Sequence, residues 1–362
     1  MTRTIAFHLP QFHRIPENDR WWGEGFTEWT NVRRAAPRFA GHAAPDRPTE
    51  LGWYDLTDPD TRAAQATLAR DHGIDAFCYY HYWFHGQRLL ERPFEAIRDS
   101  GEPDFPFLLC WANEPWTRGW SGDGEILMPQ RYSAADDVAH LRALAPAFAD
   151  PRYLRVDGRP VFLVYRASSL PDARATTDRW RLEADRLGVG ELFLARVESF
   201  RSEHSDPVAL GFDAAVEFQP DWRNVRPPLA ATALRRAGAR LGVVDHALPR
   251  ATTVPYDAVV RAALDRPVSD HRRFPCVTPG WDNTPRRDRG AVVLTGETPE
   301  RYEVWLRAAR RDDPELLFVN AWNEWGEGAH LEPGSRWGRA HLEVHRRVAA
   351  GPAGARSPEV AA

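Results

Sequence analysis

The 362-residue chain contains no lysine, so all 47 of its basic residues are arginine. Without lysine there is no Schiff-base nucleophile and no phosphate-loop GK[ST] motif. This excludes lysine-dependent aldolases, pyridoxal enzymes and P-loop NTPases. Cysteine is also scarce: Cys78, Cys110 and Cys276 lie in apolar runs without CxxC spacing. We therefore expect buried, reduced thiols rather than disulfides or a zinc site.

Long apolar runs and strong net charge are missing as well. No run reaches the roughly 18 apolar residues of a membrane span, and the formal net charge of −4 gives no reason to expect a nucleic-acid partner. The first residues, "MTRTIAFHLPQFH", contain no charged-then-apolar leader. These features predict a cytoplasmic protein without a membrane span.

Eight short β-rich runs, most of them followed by a helical pattern, dominate the chain. Their continuous apolar character is typical of parallel strands buried on both faces. The runs lie at 4–10, 74–83, 105–114, 159–166, 191–198, 213–220, 274–283 and 315–325, and the helical patterns at 59–72, 133–149, 171–187, 255–265, 298–311 and 338–349.

This alternation predicts a single (β/α)8 TIM barrel over residues 1–349, with long loops on its C-terminal face. A doubly wound open sheet is the alternative, but no GxGxxG follows the first strand. Residues 350–362 are predicted to form a disordered tail. Two connections, 10–58 and an arginine-rich stretch at 221–254, are long enough to predict binding loops or lids.

Tryptophan is concentrated where the predicted strands end. Flat indole faces beside amides, imidazoles and carboxylates suit a sugar ring, which stacks through its C–H face and hydrogen-bonds through its rim. Barrel interiors favour Val, Ile and Leu, so core packing does not require this bias. Twelve of the 15 tryptophans lie in these places: Trp21, Trp22, Trp29, Trp53, Trp83, Trp111, Trp116, Trp120, Trp222, Trp281, Trp322 and Trp325.

The same strand ends carry many acids. The histidines show no HExxH pattern and no GxSxG elbow occurs, so we predict neither a catalytic metal, nor a cofactor, nor an acyl-transfer nucleophile. Paired carboxylates, the usual apparatus of glycoside hydrolysis, remain. Glu114 could pair with Glu324 or Glu217 across the barrel mouth, or Glu324 could pair with Glu327. The full set is Glu28, Glu114, Glu198, Glu217, Asp221, Asp282, Glu324 and Glu327.

Six motifs together resemble the WbsX-like proteins, which carry a glycoside hydrolase family 99-like domain and often occur in bacterial surface-polysaccharide gene sets. The motifs are "HLPQFHRIPENDRWWGEGFTEWTNV", "CYYHYWF", "CWANEPWTRGW", "GFDAAVEFQP", "FPCVTPGWDNTPRR" and "NAWNEWGEGAHLEP". The resemblance covers roughly residues 4–345. It implies a TIM barrel related to endo-α-1,2-mannosidases and mannanases, although many such proteins are labelled glycosyltransferases.

In family 99 the catalytic acids are two glutamates of an "EWHEG"-like turn. The resemblance assigns that role to Glu324 and Glu327 of "EWGEG", with Gly326 in place of the histidine. It implies that Glu324 deprotonates the 2-hydroxyl of the sugar and that Glu327 is the general acid/base. Glu327 is then expected to have a raised pKa, so that it starts protonated.

We accordingly predict a retaining, metal-independent hydrolase of an α-linked, mannose- or rhamnose-like glycan, with an oligo- or polysaccharide as its binding partner. The alternatives are a glycosyltransferase, for which the arginine pairs at 272–273 and 286–287 could bind a diphosphate, and a non-catalytic glycan-binding barrel. Candidate substrate contacts are His8, Gln11, His13, Trp22, Glu28, Trp29, Tyr80, His81, Trp83, Trp111, Asn113, Glu114, Trp116, Arg118, Glu217, Gln219, Trp281, Asp282, Asn283, Trp322, Asn323, Trp325 and His330.

Overall fold

The core of the molecule is a nearly closed barrel of nine parallel strands. The structure is a computed structural model that describes residues 2–43, 45–118, 124–223, 225 and 251–351. The barrel strands are β1 (Arg3–His8), β2 (Ala76–Phe84), β3 (Phe107–Trp111), β4 (Arg159–Val164), β5 (Phe193–Val197), β6 (Ala214–Val216), β7 (Arg273–Phe274), β8 (Cys276–Val277) and β9 (Leu316–Val319).

The spatial order of the strands is β7-β6-β5-β4-β3-β2-β1-β9-β8, so the two ends of the sheet are consecutive in sequence. Only Pro275 separates β7 from β8. Its carbonyl accepts a hydrogen bond from the backbone N–H of Phe318 at 2.8 Å. Proline cannot donate to a ladder, and here it splits the seventh predicted strand into two short pieces. The predicted (β/α)8 barrel is confirmed, with this interruption at its seam.

Helices cover the outside of the barrel, and all six predicted helical patterns are present within two residues of their predicted bounds. Each follows the apolar periodicity that buries one face against the sheet. The described helices are α1 (Pro16–Trp22), α2 (Glu28–Arg34), α3 (Pro59–Asp71), α4 (Arg92–Ser100), α5 (Ala134–Phe148), α6 (Ala173–Arg186), α7 (Tyr256–Leu264), α8 (Pro299–Ala309) and α9 (Ala340–Ala350).

Side chains alternate between the barrel interior and the helix layer along each strand. On β1, Phe7 points inward, where its ring lies 5.3 Å from Phe218 and 5.5 Å from Phe318. Its neighbour His8 points outward to Gln65 on α3. Outside the barrel ladder are short strands at Gln87–Leu89, Trp116–Thr117, Ile126–Met128, Arg155–Val156, Ala251–Pro255, Ala291–Thr295, Asn323–Glu324 and Ala329–His330.

Several predictions fall on residues beyond those described. Most of the arginine-rich stretch at 221–254, Trp120 and all of the predicted tail after Gly351 lie outside the described residues. No helix in the described part of the chain is both long and apolar enough to cross a bilayer. The single-domain boundary and the cytoplasmic location stay predictions.

Candidate active site

The turn that follows β9 carries two of the predicted acids. Asn323–Glu324 pairs in antiparallel fashion with Ala329–His330, and a single 3-10 turn, Trp325–Glu327, joins them. Asn323 fixes this hairpin to the chain after β1, because its side chain accepts from the backbone N–H of Leu9 at 2.7 Å and donates to the Leu9 carbonyl at 3.1 Å. The acids therefore sit on a short, rigid hairpin at the carboxyl end of the barrel.

The two glycines of this hairpin, Gly326 and Gly328, are required for different physical reasons. Gly328 adopts a φ of +60°, the left-handed conformation that glycine reaches without strain. Gly326 is required by space instead: a Cβ there would lie 1.8 Å from Glu28 Oε1 and 2.8 Å from Arg286 Nε. The position that the resemblance gives to histidine is thus filled, in this chain, by the Glu28–Arg286 pair.

Arg286, which reaches the mouth from the segment after β8, binds three carboxylates at once. Its Nε donates to Glu28 Oε1 at 2.7 Å and its Nη2 to Glu324 Oε2 at 2.8 Å. Its Nη1 lies 2.9 Å from Glu327 Oε1. Fork-like guanidinium geometry allows one side chain to organise several carboxylates. We call these four residues the carboxylate cluster.

Burial dominates the protonation behaviour of the carboxylate cluster. It raises the pKa of Glu324 to about 8 and also raises the pKa of Glu327, in both cases against the opposing effect of Arg286. Burial acts to lower the pKa of Arg286 itself, but the charges of Glu28, Glu324 and Glu327 outweigh it and raise that pKa well above the usual value. One guanidinium balances only one of three negative charges, so the cluster favours bound protons.

Glu28 is completely buried at the first turn of α2, where a negative charge suits the helix dipole. Its backbone N–H donates to the carbonyl of Gln11 at 3.0 Å, which brings that predicted contact residue beside the cluster. Tyr80 and Tyr82, on the inner face of β2, complete this side of the mouth. Burial first and then the charge of Glu324 raise the pKa of both phenols.

Three aromatic residues predicted as substrate contacts face the helix layer instead. His81 Nε2 lies 3.0 Å from His140 Nε2 on α5, and the Trp83 ring stacks on His140 at 4.9 Å. Trp83 also donates its Nε1 hydrogen to Asp136 Oδ1 at 3.0 Å. Trp111 packs against the same imidazole, at 4.6 Å between ring centroids. The alternation of β2 places Tyr80 and Tyr82 inside the barrel and His81 and Trp83 outside it, a parity that composition does not reveal.

The two histidines of the first motif, His8 and His13, are also buried inside the protein. His8 Nε2 contacts Gln65 Oε1 at 3.3 Å, and burial lowers the pKa of His8 to about 3. His13 Nδ1 lies 2.8 Å from the carbonyl of Pro10. The structure does not bring these two imidazoles to the carboxylate cluster, and their contacts stabilise the loop after β1.

A second aromatic group lies behind the turn that carries Glu324 and Glu327. Trp29 and Trp325 pack with a ring separation of 5.9 Å, and Trp325 stacks on His330 at 3.6 Å. Trp29 donates its Nε1 hydrogen to the Tyr54 carbonyl at 2.7 Å. Trp322 is fully buried and packs on Phe77 at 5.0 Å. These four predicted contacts support the turn from behind, so the predicted sugar platform is not formed by Trp322 and Trp325.

Half-buried aromatic residues do line the mouth on the side of α1. Trp116 meets Trp21 edge to face at 5.7 Å, and the guanidinium of Arg118 lies 5.9 Å from the Trp22 ring. Trp22 also stacks on Phe26 at 5.7 Å. Trp21, Trp22 and Trp116 keep part of their surface in solvent, as a sugar-stacking surface requires, whereas Phe26 is buried beneath Trp22.

Glu114 also follows a strand end, as predicted, but it belongs to a separate ion pair. Its Oε1 accepts from Arg166 Nη1 at 2.8 Å, and nearly half of its side chain is exposed. The buried side chain of Asn113 bonds the backbone of Arg166 twice. Its Oδ1 accepts from the Arg166 N–H at 2.8 Å, and its Nδ2 donates to the Arg166 carbonyl at 2.9 Å. Burial raises the pKa of Glu114, and the charge of Glu327 contributes to the same direction.

Glu217 contacts Arg266 and Arg273 at 3.3 Å each and is partly buried, apart from Arg286. Gln219 is buried and accepts a hydrogen bond from Asn320 Nδ2 through its backbone carbonyl at 2.8 Å. These contacts give both predicted residues structural partners within the barrel wall.

The segment after β8 contributes the last predicted residues. Asp282 donates its backbone N–H to the Glu327 carbonyl at 2.6 Å. Its side-chain Oδ2 lies 2.9 Å from Nε2 of His42. Asn283 Oδ1 accepts a hydrogen bond from the backbone N–H of Val292 at 2.8 Å. Trp281 is buried and meets Trp222 edge to face at 5.3 Å. This segment therefore buttresses the turn that carries Glu327.

The sequence interpretation missed the main cation of the site. The sequence presents Arg286 only as half of an arginine pair, and it gives no signal that singles out Tyr82. Glu332 was not selected either, although it belongs to the quoted motif "NAWNEWGEGAHLEP". Among the described residues no group of three or more His, Cys, Asp or Glu side chains is arranged to hold a metal ion.

The chain belongs to the WbsX family, whose model, described as "Glycosyltransferase WbsX", matches residues 4–345. Two relatives from Xanthomonas campestris pv. campestris, each named "Uncharacterized protein WxcX", are 44% identical over 365 residues, which cover 99% of this chain and 50% of the relative. The chain thus spans about half the length of these curated relatives. The family predicted from the motifs is confirmed.

Solved structures share the fold at low sequence identity. A "Glycoside hydrolase-like protein" superposes with a TM-score of 0.59 and 14% identity, over 96% of this chain and 93% of that one. A GH99 endo-alpha-mannosidase from Bacteroides thetaiotaomicron superposes with a TM-score of 0.56 and 15% identity, over 96% of this chain and 95% of that one. The predicted likeness to the family 99 barrel is confirmed at the level of the fold.

Proposed function

We propose that this chain is a glycan-active enzyme, a retaining glycoside hydrolase that cleaves α-linked, mannose- or rhamnose-like sugars without a metal ion. The observation that carries the proposal is the carboxylate cluster, in which two glutamates of one turn are bonded to Arg286. The shared fold with a GH99 endo-alpha-mannosidase supports it.

The position of Glu324 and Glu327 on one turn favours a particular route. Ordinary retaining enzymes place two carboxylates about 5–5.5 Å apart on opposite sides of the scissile bond. Two acids of a single 3-10 turn instead reach neighbouring positions on the same sugar. In our proposal Glu324 removes the proton of the 2-hydroxyl, O2 attacks C1, and Glu327 protonates the departing glycosidic oxygen.

The second half of the reaction restores both acids. O2 and C1 are now joined in a three-membered ring. Water attacks C1 and breaks the C1–O2 bond, Glu327 takes a proton from the water, and Glu324 returns its proton to O2. Each step inverts C1, so the product retains the configuration of the substrate. Arg286 would stay charged throughout and hold the two carboxyl groups in register.

The stereochemistry of this route selects the sugar class. Attack by O2 requires the 2-hydroxyl and the glycosidic bond to lie on opposite faces of the ring. α-Mannosides and α-rhamnosides meet this condition because both groups are axial, whereas the 2-hydroxyl of an α-glucoside lies on the same face as the bond. This reasoning supports a manno-configured substrate.

The decisive test uses substrates altered at position 2. We expect the protein to release reducing sugar from α-mannan or rhamnan oligosaccharides in the presence of EDTA and without a sugar nucleotide. The same oligosaccharides with a 2-deoxy or 2-O-methyl sugar at the cleavage position should not be hydrolysed. Their turnover at a normal rate would contradict this route, and a covalent sugar ester on Glu114 or Glu217 would identify the ordinary mechanism.

The pH dependence follows from the proton that the pair must share. The active pair holds one proton between its two carboxyls. Burial places that proton on Glu324 in the free protein, and it must lie on Glu327 when the 2-hydroxyl is deprotonated. Because burial raises the pKa of Glu324 to about 8, the last proton should leave near that pH. We expect kcat/KM to fall above about pH 8, where no acid remains, and at low pH, where no base remains. A profile that keeps rising through pH 9 would contradict this assignment.

The alternatives predict other outcomes. A glycosyltransferase would need a sugar nucleotide, but one arginine of each pair proposed for its diphosphate is engaged: Arg286 by three carboxylates, and Arg272 by Glu315 and Asp157 at the opposite end of the barrel. A non-catalytic glycan-binding barrel would bind the oligosaccharide without cleaving it. The assay with and without sugar nucleotide separates all three.

A further inference from the structure

A third glutamate of the last motif, Glu332, lies behind the turn and does not touch Arg286. It is 2% exposed. Its Oε1 accepts from Gln65 Nε2 at 2.6 Å, and its Oε2 accepts from Tyr54 Oη at 2.9 Å and from Trp325 Nε1 at 2.7 Å. Both oxygens of this buried carboxyl are therefore satisfied by hydrogen bonds, as buried polar groups in native proteins usually are.

These bonds lead to both neighbours of Glu324. Trp325 follows Glu324 directly and is bonded to Glu332 through its indole. Asn323 precedes Glu324, and its Nδ2 donates to Tyr54 Oη at 3.3 Å, so it is linked to the same carboxyl by one intermediate side chain. The backbone positions on either side of Glu324 are therefore fixed by one buried carboxyl group.

Such a residue is costly for the fold. Burial raises the pKa of Glu332 to about 7, which measures how poorly the charge is tolerated at this place. Even a buried ion pair is often replaced by well-packed apolar residues at no cost in stability. The three donors to Glu332 are all neutral groups, which offset the burial of its charge less than a cation would. Stability alone therefore does not explain Glu332, whereas three directed hydrogen bonds do fix orientations that apolar packing leaves free.

We propose that Glu332 is a positioning residue that sets the orientation of Trp325 and thereby holds Glu324 in register with Arg286. The proposal rests on the proposed function, because it gives Glu324 a catalytic role. Trp325 is suited to transmit the effect since its ring is already clamped between Trp29 and His330, at 5.9 and 3.6 Å. The indole hydrogen bond to Glu332 is the directional contact that fixes the orientation of the ring between them.

The test is a double-mutant cycle on Glu332→Gln and Trp325→Phe. Glutamine keeps the shape but cannot accept from all three donors. Phenylalanine keeps one aromatic ring beside Trp29 and His330 but removes the indole N–H together with the second ring. We expect either change to lower kcat by up to about 10²-fold, as displacements of catalytic groups do, with KM within about threefold. Because both changes break the same bond, the double variant should be no slower than the slower single variant.

Tyr153→Phe is the matched control. Tyr153 is a buried tyrosine whose hydroxyl donates to the Val161 carbonyl at 2.9 Å, far from the mouth of the barrel. It should lower the melting temperature without changing kcat. Equal kcat in Glu332→Gln and the wild type, or a loss of kcat that merely follows the loss of folded protein, would contradict the positioning role. Fully additive effects in the cycle would contradict transmission through Trp325.

Crystal structures supply a readout that does not depend on turnover. In Glu332→Gln we expect the Trp325 ring to shift and the Arg286–Glu324 hydrogen bond, 2.8 Å in the wild type, to lengthen beyond bonding distance. An unchanged turn would refute the proposal even if the wild-type protein hydrolyses glycans. A shifted turn in a protein that cleaves no glycan would refute the proposed function and leave the positioning of Glu324 by Glu332 in place.

Discussion

Glu324→Gln and Glu327→Gln proteins are each expected to lose about 10²–10⁴-fold in kcat, the usual contribution of a positioned acid or base. Glutamine keeps the shape of the side chain but can neither accept the proton of the 2-hydroxyl nor protonate the leaving oxygen. Both variants should still fold and bind the oligosaccharide with an affinity close to that of the wild type. Steady-state kinetics and calorimetric binding would measure the two quantities separately.

The two variants should differ on an activated substrate. In a glycosyl fluoride the fluoride ion leaves without being protonated, so the first step no longer needs Glu327. The Glu327→Gln variant should therefore recover part of its rate on this substrate. Glu324→Gln should not recover, because the 2-hydroxyl still has to lose its proton. Glu114→Gln is the matched control, since Glu114 is bonded to Arg166 outside the cluster and should retain kcat within about tenfold. A loss in Glu114→Gln that equals the others would move the nucleophile to that residue.

Arg286→Leu is expected to destabilise the protein by about 3–5 kcal/mol, the cost of breaking a buried ion pair by removing one partner. The Arg286 side chain is 6% exposed, and those of its partners Glu28 and Glu324 are 0% and 6% exposed. Without it, the carboxyls escape mutual repulsion only by binding protons. The free energy of unfolding, measured by urea titration, should therefore fall more at pH 8 than at pH 5.

Arg14→Leu serves as the comparison for this measurement. Arg14 also contacts two carboxylates, at 2.7 and 3.0 Å, but its side chain is half exposed. Solvent screens such pairs, so its removal should change stability much less and show little difference between the two pH values. If Arg286→Leu were as stable as Arg14→Leu at pH 8, the cluster would not depend on a shared guanidinium.

The fold was predictable because its signals are local and redundant. Each barrel strand is a short apolar run, and each helix shows its own period, so errors at a boundary such as 274–283 did not disturb the whole. The pair Glu324 and Glu327 was predictable from one contiguous motif. The prediction of which side of a strand each side chain faces was wrong on β2. Spacing alone did not reveal that Tyr80 and Tyr82 point into the barrel, whereas His81 and Trp83 point to the helices.

Arg286 could not have been assigned for another reason. Its three partners lie 38 to 258 positions away in sequence, and an arginine beside a second arginine equally suggests an anion site. The sequence contained a hint at Gly326, where the family histidine is missing. Only the structure shows why: Glu28 and Arg286 occupy that volume.

The pairing of β1 with β9 has a consequence for how the protein is made. Arg3 lies in register with Leu316, so the first strand finds one of its two neighbours only near the end of the chain. During synthesis, β1 presents an unpaired edge while more than 300 residues are added. Exposed strand edges invite pairing with other chains, and such distant contacts form slowly. The barrel therefore stays open beside β1 until the segment that forms β9 has been synthesised, and only then can Glu28 and Glu324 meet.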